Sequence, residues 1–561
     1  MRVLGINAVF HDPAAALIVD GRTVAAAVEE RFSRRKHGKS PVPFSTWELP
    51  EQAVAWCLDQ AELGIDEIDA VAYSYDPRLA RRPAADITAH GWDGLRTLFA
   101  QRAGLFMRAA FPGFEPARLY HVPHHIAHAA SAYLAAPRGR DSTVMVIDGR
   151  GERGSYLGGR ATNGELEVLA LQDLPHSLGL VYEELTAHLG FRRSSDEYKV
   201  MAMASYGKPE FLDLLRRAIR TNGDGGFETA AIDWDAFAPR LGNGGGDWLP
   251  VHADLASSIQ RRLEEVLLEL AEWLYARTRR TVLTMAGGVA LNCVANSWLL
   301  ENGPFEEIWV QPAAGDSGTA LGAAMYVSEE LGDRVEPLTT AALGRGFGRD
   351  EIRDRLDTAG IPFEQPADVA EEVGQILASN GVVAWFQGRS EFGPRALGRR
   401  SLLADPRQAE NLDRMNAIKG REQFRPVAPM VLAERAEEIF EGGPIPSPYM
   451  LFTHRVKRPW LSRIPAVVHV DGTARIQTID AGEEPLMHRA IASFERHTGV
   501  PVVVNTSLNT AGRPMVDDPR DALELFGSAP VDALAIGPYL VRRERMFADS
   551  GGARGQVTVG G

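Results

Sequence analysis

The amino-acid sequence predicts a mixed α/β protein of two domains, the first of them built from two similar lobes. Three observations support this prediction. The 561-residue chain exceeds the size at which a single hydrophobic core stops growing. Its first half contains one strand pattern twice, and its second half alternates helical stretches with strands. We place the domain boundary near residue 340, in a polar, Gly-rich segment.

The repeated pattern is a strand, a polar loop, a second strand, a tight turn and a third strand. It begins with "RVLGINA" and again with "STVMVIDG", and Asp20-Gly21 and Asn163-Gly164 supply the two turn signals. Paired lobes of this kind are similar to those of the actin-like ATPases, in which each hairpin loop addresses the nucleotide phosphates. A chance similarity of two hairpins is the alternative. The first domain is then 1–340, with lobes of about 1–140 and 141–335.

Two later segments predict a strand that runs through a loop into a helix. In "RTVLTMAGGVALNCVANSWLL", the Gly-Gly turn lets a nucleotide or acyl group approach bare backbone. In "EIWVQPAAGDSGTALGAA", the helix begins near Asp316-Ser317, where either residue suits an N-cap. The second domain, 341–546, contains the helical stretch "ADVAEEVGQILASNG" and the strands "VVAWFQG" and "VPVVVNTS". The tail 547–561 lacks a packing pattern and is expected to be flexible.

Composition narrows the class of protein. The net charge of −14 disfavours a nucleic-acid surface, which needs clustered Lys and Arg, but it does not disfavour a small anionic ligand in a local basic pocket. The two cysteines, Cys57 and Cys293, argue against a disulfide framework and favour the cytoplasm. No apolar run approaches the ~20 residues that span a membrane, and the N-terminus shows no signal-peptide pattern.

Basic residues are concentrated in one part of the second domain, between "WFQGRSEFGPRALGRRSLLADP" and "IKGREQFRPVAP". They are Arg389, Arg395, Arg399, Arg400, Lys419, Arg421 and Arg425. They alternate with Gly, Pro and apolar residues instead of the Glu and Lys of a solvated face. Because guanidinium groups suit bidentate phosphate binding, this concentration predicts an anion pocket. A solvated or salt-bridging face is the alternative.

Two polar patches follow in the same domain. In "VVHVDGTARIQTI", the residues His469, Asp471, Thr473 and Arg475 stand in what we expect to be a strand. In "VVVNTSLNTAGRPM", an aliphatic run ends in Asn505, Thr506, Ser507 and Asn509. Small polar groups at the end of a buried strand often line a pocket, although they also cap strands as turn residues.

The stretch "VPHHIAHAASAYL" offers two pairs of histidines with helical spacing. Residues four apart lie on one face of a helix, ~6 Å apart at Cβ, close enough to share a metal. His121 with His125 and His124 with His128 both have this spacing, so the pattern leaves the register open. In an Ala-rich helix a lone pair is more often buried and hydrogen-bonded than bound to a metal.

Together these segments resemble the NodU/CmcH family of O-carbamoyltransferases, whose members include antibiotic-tailoring enzymes. The motifs that carry the resemblance are "GINAVFHDPAAALIVDG", "EERFSRRKHGK", "HHIAHAASAY", "AGGVALNCVANS", "GDSGTALGAA", "QGRSEFGPRALGRRSLLADP", "IKGREQFRPVAP", "HVDGTARIQT" and "NTSLNTAGRP". They occur in family order over most of the chain. The resemblance implies an actin-like, threonylcarbamoyltransferase-like domain with ribonuclease-H-like lobes, followed by a YrdC-like domain.

The implied reaction has two stages. The YrdC-like domain converts carbamoyl phosphate and ATP, supplied with Mg²⁺, into carbamoyl-adenylate, phosphate and pyrophosphate. The first domain transfers the carbamoyl group to a hydroxyl of a natural product and releases AMP. The Ala-, Arg- and Gly-rich composition favours an antibiotic as the acceptor. The oligomeric state stays open, a homodimer included.

The resemblance also assigns roles to residues. The anion-binding group comprises Arg389, Arg395, Lys419, Arg421, Arg425, His469, Arg475, Asn505 and Ser507. His11, Asp12 and Lys39 are the expected catalytic residues, with His11 as a general base. A turn-stabilising His-Asp pair and a solvated charge run are the alternatives. Gly287, Gly288 and Asn292 match the nucleotide-binding segment, or form only a tight turn.

The family match selects His124 and His128 as metal ligands, together with Asp148 and Asp316. Both carboxylates stand where the actin-like fold directs side chains into the cleft between its lobes. Two imidazoles and two carboxylates suit iron, zinc or manganese better than calcium, and the resemblance implies Fe²⁺. Two other functions stay open, namely an actin-like small-molecule kinase or ATPase and a non-catalytic nucleotide sensor, but neither needs the basic pocket.

Overall fold

The computed structural model describes residues 1–37, 49–80 and 92–548. In this part of the chain, sheets of five, five and seven strands are accompanied by a two-stranded and a three-stranded sheet. None of the helices in it is long and apolar enough to cross a membrane. The mixed α/β class predicted from the sequence is confirmed.

The first sheet is formed by the predicted N-terminal hairpins and two parallel strands. Its strands are β1 (Arg2–Asn7), β2 (Ala14–Val19), β3 (Arg22–Val28), β4 (Ala70–Tyr73) and β5 (Leu119–His121). Their order is β3-β2-β1-β4-β5, with the β1–β2 and β2–β3 pairs antiparallel and the other two pairs parallel. The turn between β2 and β3 uses Asp20 and Gly21, both at positive φ.

The second sheet repeats this topology. Its strands are β6 (Thr143–Ile147), β7 (Gly154–Thr162), β8 (Glu165–Asp173), β11 (Val282–Ala286) and β12 (Glu307–Val310). The order β8-β7-β6-β11-β12 has the same sequence of antiparallel and parallel pairs as the first sheet. A ribbon of β9 (Ile219–Thr221) and β10 (Phe227–Thr229) is inserted between β8 and β11. The predicted duplication is therefore a property of the fold.

Ten helices among the described residues accompany these two sheets. They are α1 (Glu30–Ser33), α2 (Glu51–Gln60), α3 (Trp92–Ala110), α4 (His124–Tyr133), α5 (Leu178–His188), α6 (Glu197–Ala204), α7 (Leu212–Ala218), α8 (Pro250–Thr278), α9 (Cys293–Asn302) and α10 (Ser317–Glu330). Helix α10 packs on β1 and β2, α4 packs on β6 and β11, and the two helices pack on each other. Their small residues allow this close approach: a Cβ on Gly322 would lie 1.8 Å from the carbonyl oxygen of Ala127. One double layer of helices thus separates the two sheets.

The third sheet belongs to the C-terminal part of the chain. The strands from there are β13 (Val383–Phe386), β14 (Arg400–Ala404), β15 (Ala428–Leu432), β16 (Phe440–Glu441), β17 (His454–Val456), β18 (Thr473–Ala474), β19 (Gln477–Ile479), β20 (Val502–Ser507), β21 (Ala533–Ile536) and β22 (Tyr539–Arg542). The large sheet has the order β19-β15-β20-β14-β13-β21-β22, and β16, β17 and β18 form the small one. The helices are α11 (Arg349–Thr358), α12 (Val369–Ala378), α13 (Glu410–Lys419), α14 (Ala436–Ile439), α15 (Pro485–Thr498), α16 (Pro519–Ser528) and α17 (Arg543–Ala548).

The predicted helix within 367–381 and the predicted strands near 383 and 502 are confirmed as α12, β13 and β20. The domain boundary near residue 340 stays a prediction, although the segment 331–348 contains neither helix nor strand. The YrdC-like class of the third sheet also stays a prediction. Of the predicted flexible tail, 549–561 lies outside the described residues.

Two local predictions were wrong. His469 and Asp471 do not stand in a strand, because a turn forms here in which the His469 N–H donates to the Thr473 carbonyl and the Gly472 N–H to the His469 carbonyl. Asp316 is not a capping residue, since its backbone is already helical and its side chain makes no cap hydrogen bond. Its carboxylate points instead toward the histidines of α4.

The C-terminal part packs against both of the duplicated lobes. From the first lobe, Arg31 donates to the carbonyl of Gly393 at 3.2 Å and Arg34 donates to the carbonyl of Met515 at 2.8 Å. From the second lobe, the Asn296 amide donates to the carbonyl of Leu451 at 3.0 Å. Loops of the C-terminal part are in this way fixed beside the cleft between the two lobes.

Candidate active site

Two histidines and two aspartates converge between the two duplicated sheets. His124 Nε2 lies 3.6 Å from Asp148 Oδ2 and 3.6 Å from Asp316 Oδ1. His128 Nε2 lies 3.9 Å and 3.6 Å from the same two oxygens. One candidate ligand atom from each residue lies within 4.8 Å of all the others, and all four residues are buried. The structure thus brings together the four ligands predicted from the sequence, while their binding of a metal stays a prediction.

The packing of α4 against α10 explains why these four residues meet. Helix α4 begins at His124, directly after Pro123, so both histidines lie in its first two turns. Asp148 directly follows β6, and Asp316 directly precedes α10. Each carboxylate therefore stands at an element end that faces the start of α4.

The donor atoms fit a metal ion. Nε2 of His124 and both ring nitrogens of His128 are buried and have no hydrogen-bond partner among the described residues. A buried polar atom without a hydrogen-bond partner destabilises the folded protein unless a ligand binds to it. Burial alone would raise the pKa of Asp148, but His124 and His125 outweigh it and hold that pKa well below its usual range. Two anionic carboxylates and two imidazoles suit a divalent transition metal.

The alternative register, His121 with His125, does not form a second cluster among the described residues. His121 Nδ1 lies 3.0 Å from the carbonyl oxygen of Tyr75 and is engaged there. His125 is buried, and its Nε2 lies 3.8 Å from Asp148 Oδ2. The sequence left His125 as an ordinary polar residue, whereas the structure places it beside one of the candidate ligands.

The first hairpin loop brings His11 and Asp12 to the edge of this cluster. His11 Nδ1 lies 2.8 Å from Asp12 Oδ2, and its Nε2 lies 3.7 Å from Asp316 Oδ2. Burial lowers the pKa of His11, but Asp316 and Asp12 outweigh burial and raise it to about 10. An imidazole that keeps its proton at neutral pH is a donor and not a base, so the base role predicted for His11 requires a cation that neutralises Asp316. Lys39 lies outside the described residues.

The glycine turn after β11 lies next to the cluster. Gly287 has φ +94°, and a Cβ there would lie 2.1 Å from the Ile147 carbonyl oxygen, so the turn requires glycine. The Gly288 N–H donates to Asp148 at 3.0 Å. The Asn292 side chain caps α9 and exchanges hydrogen bonds with Gln260. Gly288 and Asn292 lie on a cavity wall, as a nucleotide-binding role requires.

The structure brings most of the predicted basic group together around one cavity, while its binding of an anion stays a prediction. Lys419 at the end of α13 directs its ammonium to four oxygens of Ser507 and Asn509, including Asn509 Oδ1 at 2.6 Å. Arg395, Arg421 and Arg475 share its cavity and, among the described residues, none of these four cations forms an ion pair. Burial and the neighbouring guanidiniums lower the pKa of Arg421 to about 9. A buried cation cluster that lacks a counter-charge is suited to bind an anion.

Arg425, Asn505 and Ser507 also line this cavity, but two members of the predicted group do not. Arg389 donates to the carbonyls of Gly344 and Val24, each at 3.0 Å, and so braces the C-terminal part against β3. His469 lies in its turn with its ring edge on Tyr206. Neither side chain lines the cavity, because tertiary contacts that the local sequence cannot report engage both of them elsewhere.

Arg399 and Arg400 are structural. Arg399 pairs with Glu484 at 2.6 Å, which is the salt-bridging alternative that the sequence left open. Arg400 is fully buried and donates to the carbonyls of Gln387 at 2.8 Å and Arg345 at 2.9 Å. Neither guanidinium faces the cavity.

One cavity of about 550 Å³ joins the two groups of residues. His11, Asp12, Asp148 and Asp316 lie on its wall on the side of the lobes, and the basic cluster lies on its wall on the side of the C-terminal part. The sequence predicted two pockets in two domains but not that they open into each other. A molecule bound by the basic cluster therefore lies in the same cavity as Asp148 and Asp316, the two aspartates of the histidine–aspartate cluster.

Sequence reasoning missed several residues on this wall, including His37, Ser195 and Glu197. His37 stands in the motif "EERFSRRKHGK", of which only Lys39 was predicted to be functional. Ser195 and Glu197 stand in "RRSSDEYKV", a polar segment at the start of α6. The one signal for them was that polar run directly before an apolar helix, which by itself indicates only a helix start.

Glu197 should make the stability of the protein depend on pH. Burial raises the pKa of its carboxyl to about 7, well above the value of an unfolded glutamate. Between about pH 4.5 and pH 7 the native state keeps a proton that the unfolded state has lost, so stability falls as pH rises through this window. Glu197→Gln should remove that loss. Melting temperatures of wild type and variant, determined at both ends of this pH window, measure the loss of stability. Glu184→Gln, at an exposed position of α5, is the control.

The fold and the site define an α/β protein with duplicated lobes, a buried histidine–aspartate cluster and a basic cavity. Two family models match the chain, Carbamoyltransferase N-terminus over residues 2–325 and Carbamoyltransferase C-terminus over residues 374–543. The chain belongs to the carbamoyltransferase family and is a carbamoyltransferase. The membership predicted from the sequence motifs is confirmed.

Relatives match over most of the chain. Nodulation protein NolNO of Sinorhizobium fredii is 37% identical over 564 residues, which cover 96% of this chain and 80% of the relative. Nodulation protein NolO of Bradyrhizobium diazoefficiens is 39% identical, covering 75% and 78%. Among solved structures, HypF of T. kodakarensis is 14% identical with a TM-score of 0.38, covering 60% of this chain and 48% of that chain.

Proposed function

We propose that this carbamoyltransferase uses ATP to activate carbamoyl phosphate and then carbamoylates a hydroxyl of a natural product. The observation that carries the proposal is the shared cavity, which has cations on one wall that form no ion pair among the described residues and, on the other wall, the two aspartates of the histidine–aspartate cluster. Carbamoyl phosphate and ATP are polyanions that suit the first wall. The acyl phosphate formed from them would not have to leave the enclosure, which protects a labile intermediate from water.

The first stage takes place at the basic cluster. Carbamoyl phosphate loses inorganic phosphate through cleavage by water, and an oxygen of the resulting carbamate attacks the α-phosphorus of ATP. A carbamate O–P bond forms, the bond to the β-phosphate breaks, and pyrophosphate leaves. Lys419, Arg421 and Arg425 stabilise the negative charge on the transferring and leaving phosphates, with Arg395 and Arg475 beside them, and the ATP carries Mg²⁺.

The second stage takes place beside the histidine–aspartate cluster. His124, His128, Asp148 and Asp316 would hold Fe²⁺ or another divalent transition metal, which when bound supplies Lewis acidity to the adenylate phosphate. An alcohol attacks the carbamoyl carbon, and AMP leaves. Asp12 orients His11 through Nδ1, and Gly288 and Asn292 form the wall against which the nucleotide rests.

The acceptor class is the hydroxyl of a natural product such as an antibiotic, and the cytoplasm is the proposed location. The cytoplasm supplies both ATP and carbamoyl phosphate, and it suits the free, buried thiols of Cys57 and Cys293.

An acceptor screen tests the proposed function. The protein is incubated with carbamoyl phosphate, ATP and Mg²⁺ and a panel of hydroxyl-bearing natural products, and the products are analysed by mass spectrometry. We expect an acceptor that gains one carbamoyl group in place of a hydrogen, only when both donors are present. An acceptor that gains a phosphoryl group would instead identify an actin-like kinase.

A further inference from the structure

A carboxylate, an imidazole and a hydroxyl form a continuous hydrogen-bonded series on the wall of the cavity. Asp12 Oδ1 lies 2.9 Å from His37 Nδ1, and His37 Nε2 lies 2.9 Å from the Ser195 hydroxyl. These are the contacts by which a carboxylate orients an imidazole toward a hydroxyl in acyl-transfer enzymes. All three side chains line the cavity.

The backbone around this series is unusual. Asp12 and His37 have φ values of +50° and +64°, and Ser194, next to Ser195, has φ +55°. Residues other than glycine rarely adopt this left-handed conformation, and such residues persist where the surrounding structure holds them in place for function. Two of these residues belong to the hydrogen-bonded series, and the third directly precedes its serine.

Asp12 holds two imidazoles that face different partners. His11 turns its Nε2 toward Asp316 of the histidine–aspartate cluster, whereas His37 turns its Nε2 toward a hydroxyl. A second carboxylate at His37 is that of Glu30, which accepts the His37 backbone N–H at 2.7 Å. The ring of His37, unlike that of His11, therefore has its Nε2 on a hydroxyl and not beside a carboxylate of the cluster.

We infer that His37, oriented by Asp12, is the base that takes the proton of the acceptor hydroxyl, which occupies the place that Ser195 Oγ holds in the free enzyme. The inference rests on the proposed function. The acceptor oxygen forms a bond to the carbamoyl carbon as the bond from that carbon to the adenylate oxygen breaks. AMP leaves with that electron pair, and the hydroxyl proton passes to His37 Nε2 and from there to solvent.

The series also permits a different chemistry, in which Ser195 itself is the nucleophile. A carbamoyl group on a serine hydroxyl is a carbamate ester, which is less reactive toward alcohols than the adenylate from which it formed. Such an intermediate would slow transfer, so we assign the attacking hydroxyl to the acceptor.

The test compares His37→Gln with wild type in three assays. Carbamoyl-phosphate-dependent exchange of labelled pyrophosphate into ATP reports adenylate formation and should not change. Transfer to methanol, the smallest alcohol, needs a base and should fall by about 10²–10⁴-fold. Transfer to hydroxylamine, whose nitrogen attacks without first losing a proton, should persist. His497→Gln, at an exposed histidine of α15, is the matched control.

Three results would overturn the inference. The first is unchanged methanol transfer in His37→Gln, or an equal loss of methanol and hydroxylamine transfer. The second is a wild-type enzyme that carbamoylates hydroxylamine but never methanol. The third is a carbamoyl group on the Ser195 peptide of wild type without acceptor. Absence of exchange in wild type would instead refute the proposed function.

Discussion

Lys419→Ala should reduce carbamoyl-phosphate-dependent pyrophosphate exchange by about 10²–10³-fold, the range seen when one preorganised charge-stabilising donor is removed. The Lys419 ammonium is buried and touches only oxygens of Ser507 and Asn509, so its charge is available to a bound anion. Burial and the adjacent Arg421 and Arg425 hold its pKa well below the usual range. A polyanion would reverse this effect and stabilise the ammonium form, and alanine removes that attraction.

Lys457→Ala is the control for this variant. Lys457 also belongs to the C-terminal part and its ammonium donates to the backbone carbonyl of Glu437, but it lies away from the cavity. We expect normal exchange in this control and unchanged circular dichroism in both variants. Normal exchange in Lys419→Ala would remove this lysine from the first stage.

His128→Ala should lose the metal and block transfer while adenylate formation continues. Both ring nitrogens of His128 lack a hydrogen-bond partner among the described residues, so metal binding is the role that its position supports. A Lewis acid contributes several kcal/mol to such a reaction, which corresponds to about 10²–10⁴-fold in transfer rate. Metal content by mass spectrometry and pyrophosphate exchange give two readouts that do not depend on transfer.

His121→Ala is the matched control, because His121 stands four residues before His125 in the sequence but lies in β5, where it is engaged with the Tyr75 carbonyl. This variant should keep both metal and transfer. The assignment would be wrong if His128→Ala kept its metal. It would also be wrong if the variant lost adenylate formation but still transferred the carbamoyl group from supplied adenylate.

Local patterns predicted the elements whose signals are local. The hairpins of both lobes have the expected strands and turns, because apolar runs and Asp-Gly or Asn-Gly turns are signals carried by neighbouring residues. The four candidate metal ligands were also found, since helical spacing places His124 and His128 on one face. The choice of register and of the two aspartates came from the family motifs, because spacing alone allowed His121 and His125 as well.

Long-range contacts account for what the sequence could not predict. Arg389 and Arg395 stand in the same motif, yet Arg389 donates a hydrogen bond to the Val24 carbonyl in β3 and Arg395 lines the cavity. His37 received no predicted role, because only tertiary folding places it between Asp12 and Ser195. Asp316 had the sequence of a helix cap, but its carboxylate lies beside the histidines of α4 and makes no cap hydrogen bond to α10.

The nucleotide products of a single turnover test the two-stage reaction most directly. Wild-type protein is mixed with carbamoyl phosphate, Mg²⁺, labelled ATP and an acceptor, and the products are separated by chromatography. The proposed chemistry predicts one AMP, one pyrophosphate and one phosphate for each carbamoyl group transferred. One ADP in place of AMP for each carbamoyl group transferred would contradict the proposed chemistry, and so would carbamoyl transfer without ATP.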